Sequence, residues 1–156
     1  MTTYNNNRLI KIVINTGIGR KDEKEIESIR RHLELISGQK CVSGRARKSI
    51  ASFKTRKGMT LGLICTLRGR RMLDFLNKLI NITLARIRDF RGIPEKSVDL
   101  SGNLTIGFKE HIVFSEMAGE EVKTPFGVEV TLVTNAKSRE EAITLLKSLG
   151  IPFKKN

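Results

Sequence analysis

The sequence predicts an α+β fold in which helices pack on one face of a mainly antiparallel sheet. Three observations support this prediction. Apolar residues alternate with polar ones in short segments, they recur at helical spacing in longer segments, and the two kinds of segment do not alternate regularly along the chain. A length of 156 residues suits one domain with its own core. We therefore expect a single domain over residues 1–156, with residues 1–8 as a short N-terminal extension.

The first strand is predicted from residue 9 and closes at Gly17 and Gly19. These glycines lie where a dinucleotide-binding loop would begin, but Asp22 stands in place of the third glycine and would repel a phosphate. A tight strand-to-helix turn is the better interpretation. Further strand-like segments occupy residues 40–43, 61–67, 103–108, 112–114 and 128–134.

Three amphipathic helices are predicted. The first begins after an N-cap at Asp22 and ends at Gly38, and the last begins at a capping box of Ser138 and Glu141 and ends at Gly150. The middle helix spans residues 70–84. Its inward side chains are predicted to be Met72, Phe75, Leu76, Leu79 and either Ile82 or Thr83.

The positive charge of the chain is concentrated in one stretch. The net charge is +13, and ten Lys and Arg but no acid lie between Lys40 and Leu73. Six of these cations fall in residues 44–58, which we call the basic loop and expect to protrude. Focused charge of this kind binds phosphates and releases their counterions. The sequence therefore predicts a nucleic-acid partner.

Other features narrow the type of partner. With no Trp and one Tyr, the chain has few aromatic surfaces on which unpaired bases could stack, so structured RNA is the better fit. No apolar run approaches the roughly 18 residues of a membrane span, so no membrane is expected among the partners.

Three polar residues interrupt apolar segments: Asn15, Gln39 and Thr66. Ordinary turn and strand polarity explains each of them alone. If their strands are neighbours, however, the three side chains could form one cluster on the open face of the sheet and bond RNA sugars and bases.

The residues capable of chemistry give little sign of catalysis. Cys41 and Cys65 lack metal-binding spacing and are expected to be reduced, structural thiols, and His32 and His111 to be surface or structural residues. Four carboxylates could in principle hold Mg²⁺ in a nuclease, although without its close spacing. They are Asp74, Asp89, Asp99 and Glu110. A stand-alone chaperone or regulator of structured RNA, using the same basic surface, is the leading alternative, and the nuclease ranks behind it.

Several long, collinear motifs over about residues 9–154 resemble the bacterial or organellar type of the ribosomal protein L5 family. The most specific is Arg86 to Gly92, Arg-Ile-Arg-Asp-Phe-Arg-Gly. The others include Lys11–Gly19, Ser37–Lys40, Arg45–Ser49, Phe53–Gly58, Glu110–Phe114, Thr134–Lys137 and Gly150–Phe153.

This resemblance implies a non-enzymatic protein of the large ribosomal subunit, without cofactor or metal, that binds 5S rRNA in the central protuberance and connects it to the large rRNA. Neighbouring ribosomal proteins and the peptidyl-site tRNA are further implied partners. The implied 5S rRNA contacts are Asn15, Gln39, Thr66, Lys40, Arg45, Arg47 and Lys48. The implied tRNA-side loop consists of Phe53, Lys54, Thr55, Arg56, Lys57, Gly58 and Met59. The implied contacts to other rRNA are Arg68, Arg70, Arg86, Arg88 and Arg91.

The chain also departs from the family pattern. The first strand is predicted to begin by Leu9, whereas the family usually has a helical segment of about twenty residues before it, so we do not expect the contacts of that segment to carry over. Ala85 and Ser115 replace common prolines, which should loosen local turns. The short start and the Asn, Lys and Ile-rich composition favour an organelle-encoded, mitochondrial protein, with a bacterial cytoplasmic ribosome as the alternative.

Overall fold

The computed structural model describes residues 8–155, without the side chain of Phe53. Five strands form one antiparallel sheet in the order β2-β3-β1-β5-β4. The strands are β1 (Leu9–Gly17), β2 (Val42–Arg45), β3 (Thr60–Leu67), β4 (Leu104–Phe108) and β5 (Val128–Thr134). The helices are α1 (Glu23–Ser37), α2 (Gly69–Lys78), α3 (Leu84–Arg86) and α4 (Arg139–Ser148). The predicted α+β fold class is confirmed.

The described residues group into two compact units. Unit 1 comprises the described residues up to Val13, Arg68–Ile106 and the described residues from Val130 onward. Unit 2 comprises Ile14–Leu67 and Gly107–Glu129. The expectation that the chain behaves as a single domain stays a prediction. The predicted N-terminal extension lies outside the described residues except for its last residue.

Helix α1 belongs to unit 2 and matches its prediction closely. The Asp22 side chain accepts the Glu25 N–H, and the Glu25 carboxylate accepts the Asp22 N–H, so a complete capping box opens the helix. Gly38 ends it in the left-handed conformation with its N–H bonded to the Glu34 carbonyl. Leu33 and Ile36 on its inner face are fully buried.

Helix α2 belongs to unit 1 and continues through a π-helical segment, Leu79–Thr83, into α3. The extra residue in a π turn rotates the following side chains relative to a regular helix. As a result Thr83 is 2% exposed while Ile82 is 41% exposed. The choice between Ile82 and Thr83 that the sequence leaves open is therefore decided by the π segment.

The strand predicted over residues 112–114 is wrong. These residues lie in a 3₁₀ turn, His111–Val113, in which the Phe114 N–H bonds back to the His111 carbonyl. The three-residue spacing buries both His111 and Phe114 and leaves Ile112 exposed. Burial of a His and a Phe on one side of a turn thus outweighs the strand propensity of the intervening Ile and Val.

At the last helix, α4, the capping differs in detail. Ser138 accepts the Glu141 N–H as predicted, but the Glu141 carboxylate also accepts the N–H of Lys137, one residue before the cap.

No helix in the part of the chain that the structure describes has the length and apolarity needed to cross a membrane.

The end of the chain fixes the Arg86–Gly92 motif within unit 1. Ile93 donates to the Pro152 carbonyl at 2.8 Å, and Lys154 donates back to Ile93 at 2.9 Å. A Cβ at Gly92 would lie 2.5 Å from the Lys154 nitrogen, and φ there is +109°. Only glycine fits this backbone crossing. Two of the motifs found in the sequence, Arg86–Gly92 and Gly150–Phe153, are therefore adjacent in space.

Candidate nucleic-acid interface

The β2–β3 hairpin of unit 2 has two contrasting sides. Val42 lies opposite Ile64, and Gly44 opposite Gly62, on one side, which we call the open face. Ser43 lies opposite Leu63 on the other side, the closed face, where Leu63 is fully buried. Because side chains alternate along a strand, Thr66 shares the open face with Ile64. The open face therefore combines polar, aliphatic and glycine positions.

The three predicted polar residues lie around the open face but do not form one compact cluster. Gln39 donates from Nε2 to the Thr66 main-chain oxygen at 2.9 Å, so these two are adjacent. The Asn15 amide oxygen lies 3.6 Å from the position that a Cβ on Gly62 would occupy. Gly62 and Thr66 are four residues apart, about 13 Å along an extended strand. The strands β2, β3 and β1 are neighbours, which was the condition for a cluster, but the two amide side chains lie at separate points of the open face.

Arg30 on α1 fixes the edge strand β2, a role for which the sequence carries no local signal. Its guanidinium donates to the Cys41 carbonyl at 3.0 Å and to the Ser43 hydroxyl at 2.7 Å. Glu34 accepts the Cys41 N–H at 3.0 Å. These bonds satisfy groups of an edge strand that would otherwise need water or another chain. The helix thereby sets the position of the open face.

The two cysteines lie on the closed face. Both are buried thiols that are not joined in a disulfide, as predicted for structural cysteines. A hydrogen bond to Cys65, together with burial, raises the pKa of the Cys41 thiol well above its usual value. A thiol held in its neutral form is a poor nucleophile and a poor metal ligand. The pair therefore contributes to packing under the sheet.

The basic loop is a hydrogen-bonded extension of the hairpin. The Ala46 N–H bonds to the Met59 carbonyl at 2.8 Å, and Ile50 and Thr55 exchange two bonds of 2.9 and 3.1 Å nearer the tip. A short 3₁₀ turn, Ala51–Phe53, closes the tip, and Lys54 follows it with a φ of +49°. A lysine in this conformation stores backbone strain. The loop backbone is thus held in a definite path.

The cations of the basic loop point to solvent without internal partners. All six are exposed, and within the described residues none of them lies within 4.0 Å of a carboxylate. The sequence explains why no carboxylate lies nearby along the chain, because no Asp or Glu occurs between Lys40 and Leu73. They are Arg45, Arg47, Lys48, Lys54, Arg56 and Lys57. Their repulsion is relieved by binding a polyanion.

Unit 1 carries its own exposed arginines. Arg68 is the N-cap residue of α2, and Arg70 in the first turn makes a long, exposed ion pair of 4.0 Å with Asp74. Arg86 ends α3, and Arg88 and Arg91 follow in the turn that the C-terminal tail fixes. All of the predicted rRNA-contacting arginines of unit 1 are thus at its surface.

The two histidines form a buried stack in unit 2 that the sequence could not pair. His32 Nδ1 and His111 Nε2 are 3.1 Å apart, and Phe126 stacks on His111 at 3.8 Å between ring centroids. The Phe126 N–H donates to His111 Nδ1, so the His111 proton sits on Nε2 and is donated to His32. Burial and the neighbouring His32 lower the pKa of His111 to about 4. This stack is structural, in line with the prediction.

Two of the four carboxylates considered for a nuclease have protein partners of their own. Asp74 faces Arg70 on α2, and Asp99 bonds the Asn103 N–H in a turn. Over residues 8–155, no group of three or more His, Cys, Asp or Glu side chains is arranged to hold a metal ion.

Comparison with known proteins identifies the family of the chain. The family model described as "Ribosomal protein L5" matches residues 4–56, and the model for the C-terminus of the same ribosomal family matches residues 60–153. The chain belongs to the ribosomal protein L5 family. The break between the two family models, after residue 56 and before residue 60, falls at the end of the basic loop.

Related sequences align with most of the chain. A protein named "Large ribosomal subunit protein uL5" from Nitratidesulfovibrio vulgaris (strain DP4) is 48% identical over 149 residues, covering 94% of this chain and 83% of the relative. Proteins of the same name from Dehalococcoides mccartyi (strain CBDB1) and Halothermothrix orenii are 48% and 49% identical, covering 96% and 94% of this chain and 84% and 83% of their own length.

Membership of the L5 family makes the chain a structural protein of the ribosome, with rRNA and other ribosomal proteins as its partners. The family consists of structural proteins, not enzymes. The relatives are bacterial, so the mitochondrial origin favoured by the composition is not supported, and the bacterial alternative fits better.

Proposed function

We propose that this L5-family chain is a structural constituent of the large ribosomal subunit that binds 5S rRNA in the central protuberance and links it to the large rRNA. Its basic loop contacts the peptidyl-site tRNA. It catalyses no reaction. The name that the relatives share, with about half of the residues identical over nearly the whole chain, supports its place in the large subunit.

The open face supports the 5S rRNA contact. Thr66, Gln39 and Asn15 offer hydroxyl and amide groups on a surface that α1 does not cover, and Lys40 and Arg45 stand exposed at the two ends of β2. Amides and hydroxyls bond ribose hydroxyls and base edges, whereas the cations bind phosphates without regard to sequence. Specificity therefore belongs to the polar residues, and affinity to the cations.

The contacts with tRNA and with the large rRNA are assigned to other surfaces of the protein. In the basic loop, Lys54 follows the Ala51–Phe53 turn at the tip, and Arg56 and Lys57 lie on the side that returns to β3. These exposed cations suit a contact with tRNA phosphates. The exposed arginines of unit 1 suit phosphates of the large rRNA. Those arginines are Arg68, Arg70, Arg86, Arg88 and Arg91.

The proposal is tested by titrating the protein with 5S rRNA and with an unrelated RNA duplex of equal length at several salt concentrations. The variant for comparison is the double substitution Asn15→Ala and Thr66→Val. Gln39 is kept, because its side chain holds the Thr66 main chain and its loss would also perturb the strand.

We expect the native protein to prefer 5S rRNA by about a hundredfold or more. The double variant should lose most of that preference while the dependence of affinity on salt stays the same, because the cations are untouched. Equal binding of the two RNAs by the native protein would overturn the 5S assignment and favour a general polyanion-binding protein.

A further inference from the structure

The open face of the hairpin is ordered in three cross-strand rows. Val42 pairs with Ile64, and Gly44 pairs with Gly62. Continuing this antiparallel register in the other direction sets Lys40 beside Thr66. From one end of the hairpin to the other, the surface is therefore charged and polar, then aliphatic, then bare main chain.

The two glycines of the bare row are present for different reasons. At Gly62 a Cβ would lie 2.8 Å from the Thr16 carbonyl oxygen, so the neighbouring strand excludes any side chain. At Gly44 a Cβ would meet the Gly62 oxygen and the Ile64 Cδ1 at 3.5 Å, which is ordinary contact, and φ is not in the left-handed region. The fold therefore accepts alanine at position 44. A strand glycine that the fold does not require often marks close approach of a ligand.

The aliphatic row presents two exposed apolar side chains on the open face. Val42 is 70% exposed and Ile64 is 37% exposed. The surrounding charge identifies the class of molecule that covers them. Lys40 precedes this row, and Arg45, Arg47 and Lys48 follow it, without an acid in the stretch. A polyanion with apolar carbon atoms on its surface, such as an RNA strand with its riboses, complements this combination.

We propose that Val42, Ile64, Gly44 and Gly62 form a flat floor against which the ribose side of a bound RNA strand lies in direct contact with the main chain. Ribose carbons pack on the Val42 and Ile64 side chains, and the strand continues over the bare glycine row. This inference rests on the proposed function and identifies the part of the RNA that the open face contacts.

The floor explains why the polar groups stand apart. Asn15 borders the glycine row, and Thr66, with Gln39 behind it, borders the aliphatic row at the opposite end. Their separation of about 13 Å along β3 spans two to three nucleotides of a strand. Each end can bond a different ribose hydroxyl, while the floor between them keeps the strand in van der Waals contact and excludes water.

The experiment measures 5S rRNA affinity for the native protein and for Gly44→Ala, with Gly107→Ala as the matched control. Gly107 is another strand glycine without left-handed φ, on β4 at the other edge of the sheet order, and a Cβ there meets nothing within 4 Å. Thermal unfolding of each variant checks the fold, and hydroxyl-radical cleavage of the bound RNA reports which riboses are covered.

We expect Gly44→Ala to weaken 5S binding by about tenfold, since one methyl group lifts the strand from the floor. Its melting temperature should be unchanged or slightly higher, because alanine suits a strand better than glycine. Gly107→Ala should leave affinity unchanged. Val42→Ala, which shortens the floor without blocking it, should weaken binding by about threefold. A short run of protected riboses should be seen with the native protein and be lost with Gly44→Ala.

The outcomes separate this inference from the function on which it rests. If the native protein shows no preference for 5S rRNA, the proposed function fails, and the floor fails with it. If the native protein prefers 5S rRNA but Gly44→Ala binds equally well, or no ribose is protected, only the floor is overturned. Loss of a ribosomal-protein contact by Gly44→Ala, with RNA binding intact, would also overturn it and assign the surface to a protein.

Discussion

The two faces of the β2–β3 hairpin are held by different interactions. On the closed face, Leu63 and Cys65 are buried, and Arg30 bonds the edge strand to α1. On the open face, the valine and isoleucine of the central row are exposed and the basic loop has no internal counter-charge. The same two strands thus present one face to the core of unit 2 and leave the other available to a partner.

This contrast separates stability from binding. Substitutions on the closed face and in the core beneath it should change the free energy of unfolding and leave the RNA affinity of the folded protein intact. Substitutions on the open face should lower RNA affinity and leave the free energy of unfolding unchanged. A residue that contacts both faces, such as Gln39, should affect both quantities.

The largest effect is expected from Leu33→Ala on α1. Leu33 is fully buried, so its truncation leaves a cavity and should lower the free energy of unfolding by about 2–5 kcal/mol. Leu35 on the same helix is 41% exposed, and Leu35→Ala should cost under about 1 kcal/mol. Urea unfolding measures both, and 5S rRNA affinity in the absence of denaturant should match the native value. Equal costs for the two leucines would contradict the packing of α1 by its Leu33 face.

The next largest effect is expected from pH, through His111. Its pKa is about 4 when folded, below the ordinary 6.5, so its contribution to stability is complete above pH 6.5 and is lost as the pH falls towards 4. In that window the unfolded chain binds a proton at His111 that the folded chain excludes, with a slope of up to about 1.4 kcal/mol per pH unit.

His111→Gln removes this ionisation. The difference in unfolding free energy between the native protein and the variant should shrink between pH 6.5 and 4, as measured by urea unfolding at several pH values. A difference that stays constant over this range would mean that the His32–His111 stack does not exclude the proton.

A smaller effect on both properties is expected from Gln39→Ala, because Gln39 joins the two faces. The variant loses the 2.9 Å bond to the Thr66 carbonyl and should be about 1 kcal/mol less stable. It should also bind 5S rRNA less tightly, because the Thr66 main chain is no longer held. Thr66→Val keeps the main-chain bond and is the matched control, so it should lower affinity with stability changed by less than about 0.5 kcal/mol. If Gln39→Ala alters stability alone, this residue belongs to the closed face only.

The fold could be predicted from the sequence where local signals decide the structure. Asp22 with Glu25 and the left-handed Gly38 bound α1, because a capping box and a C′ glycine act within a few residues. The 3₁₀ turn at His111 and the π segment before Leu84 were not predicted, because tertiary burial sets both of them. The pairing of Gly92 with the C-terminal tail depends on residues some sixty positions apart and has no local signal.

The candidate site was also predicted only in part: its charge was predicted, but the roles of individual residues in the β2–β3 hairpin were not. The charge of the basic loop is a property of composition and is visible without coordinates. The roles of Arg30, Val42 and Gly44 depend on register, because only the pairing of β2 with β3 shows which side each residue occupies. Alternation from Lys40 onward could have assigned Val42 and Gly44 to one face, but the sequence alone does not show which face α1 covers.

The smallest effect is expected at the basic loop, from the double substitution Arg56→Gln and Lys57→Gln. Both side chains are exposed, and neither forms an ion pair with any residue between 8 and 155, so stability should change by less than about 0.5 kcal/mol. Because residues 53–59 are assigned to tRNA and not to 5S rRNA, the purified variant should bind 5S rRNA within about twofold of the native protein. Ribosomes carrying it should bind peptidyl-site tRNA about threefold more weakly, with a shallower salt dependence.

Lys24→Gln with Lys109→Gln removes the same charge from exposed positions outside the basic loop and serves as the control. If this control weakens tRNA binding as much as the loop variant does, net charge explains the contact and the loop has no specific role. If the loop variant instead loses 5S rRNA and keeps tRNA, Arg56 and Lys57 contact the same RNA as the open face. The basic loop would then contact 5S rRNA, and the assignment of residues 53–59 to tRNA would be wrong.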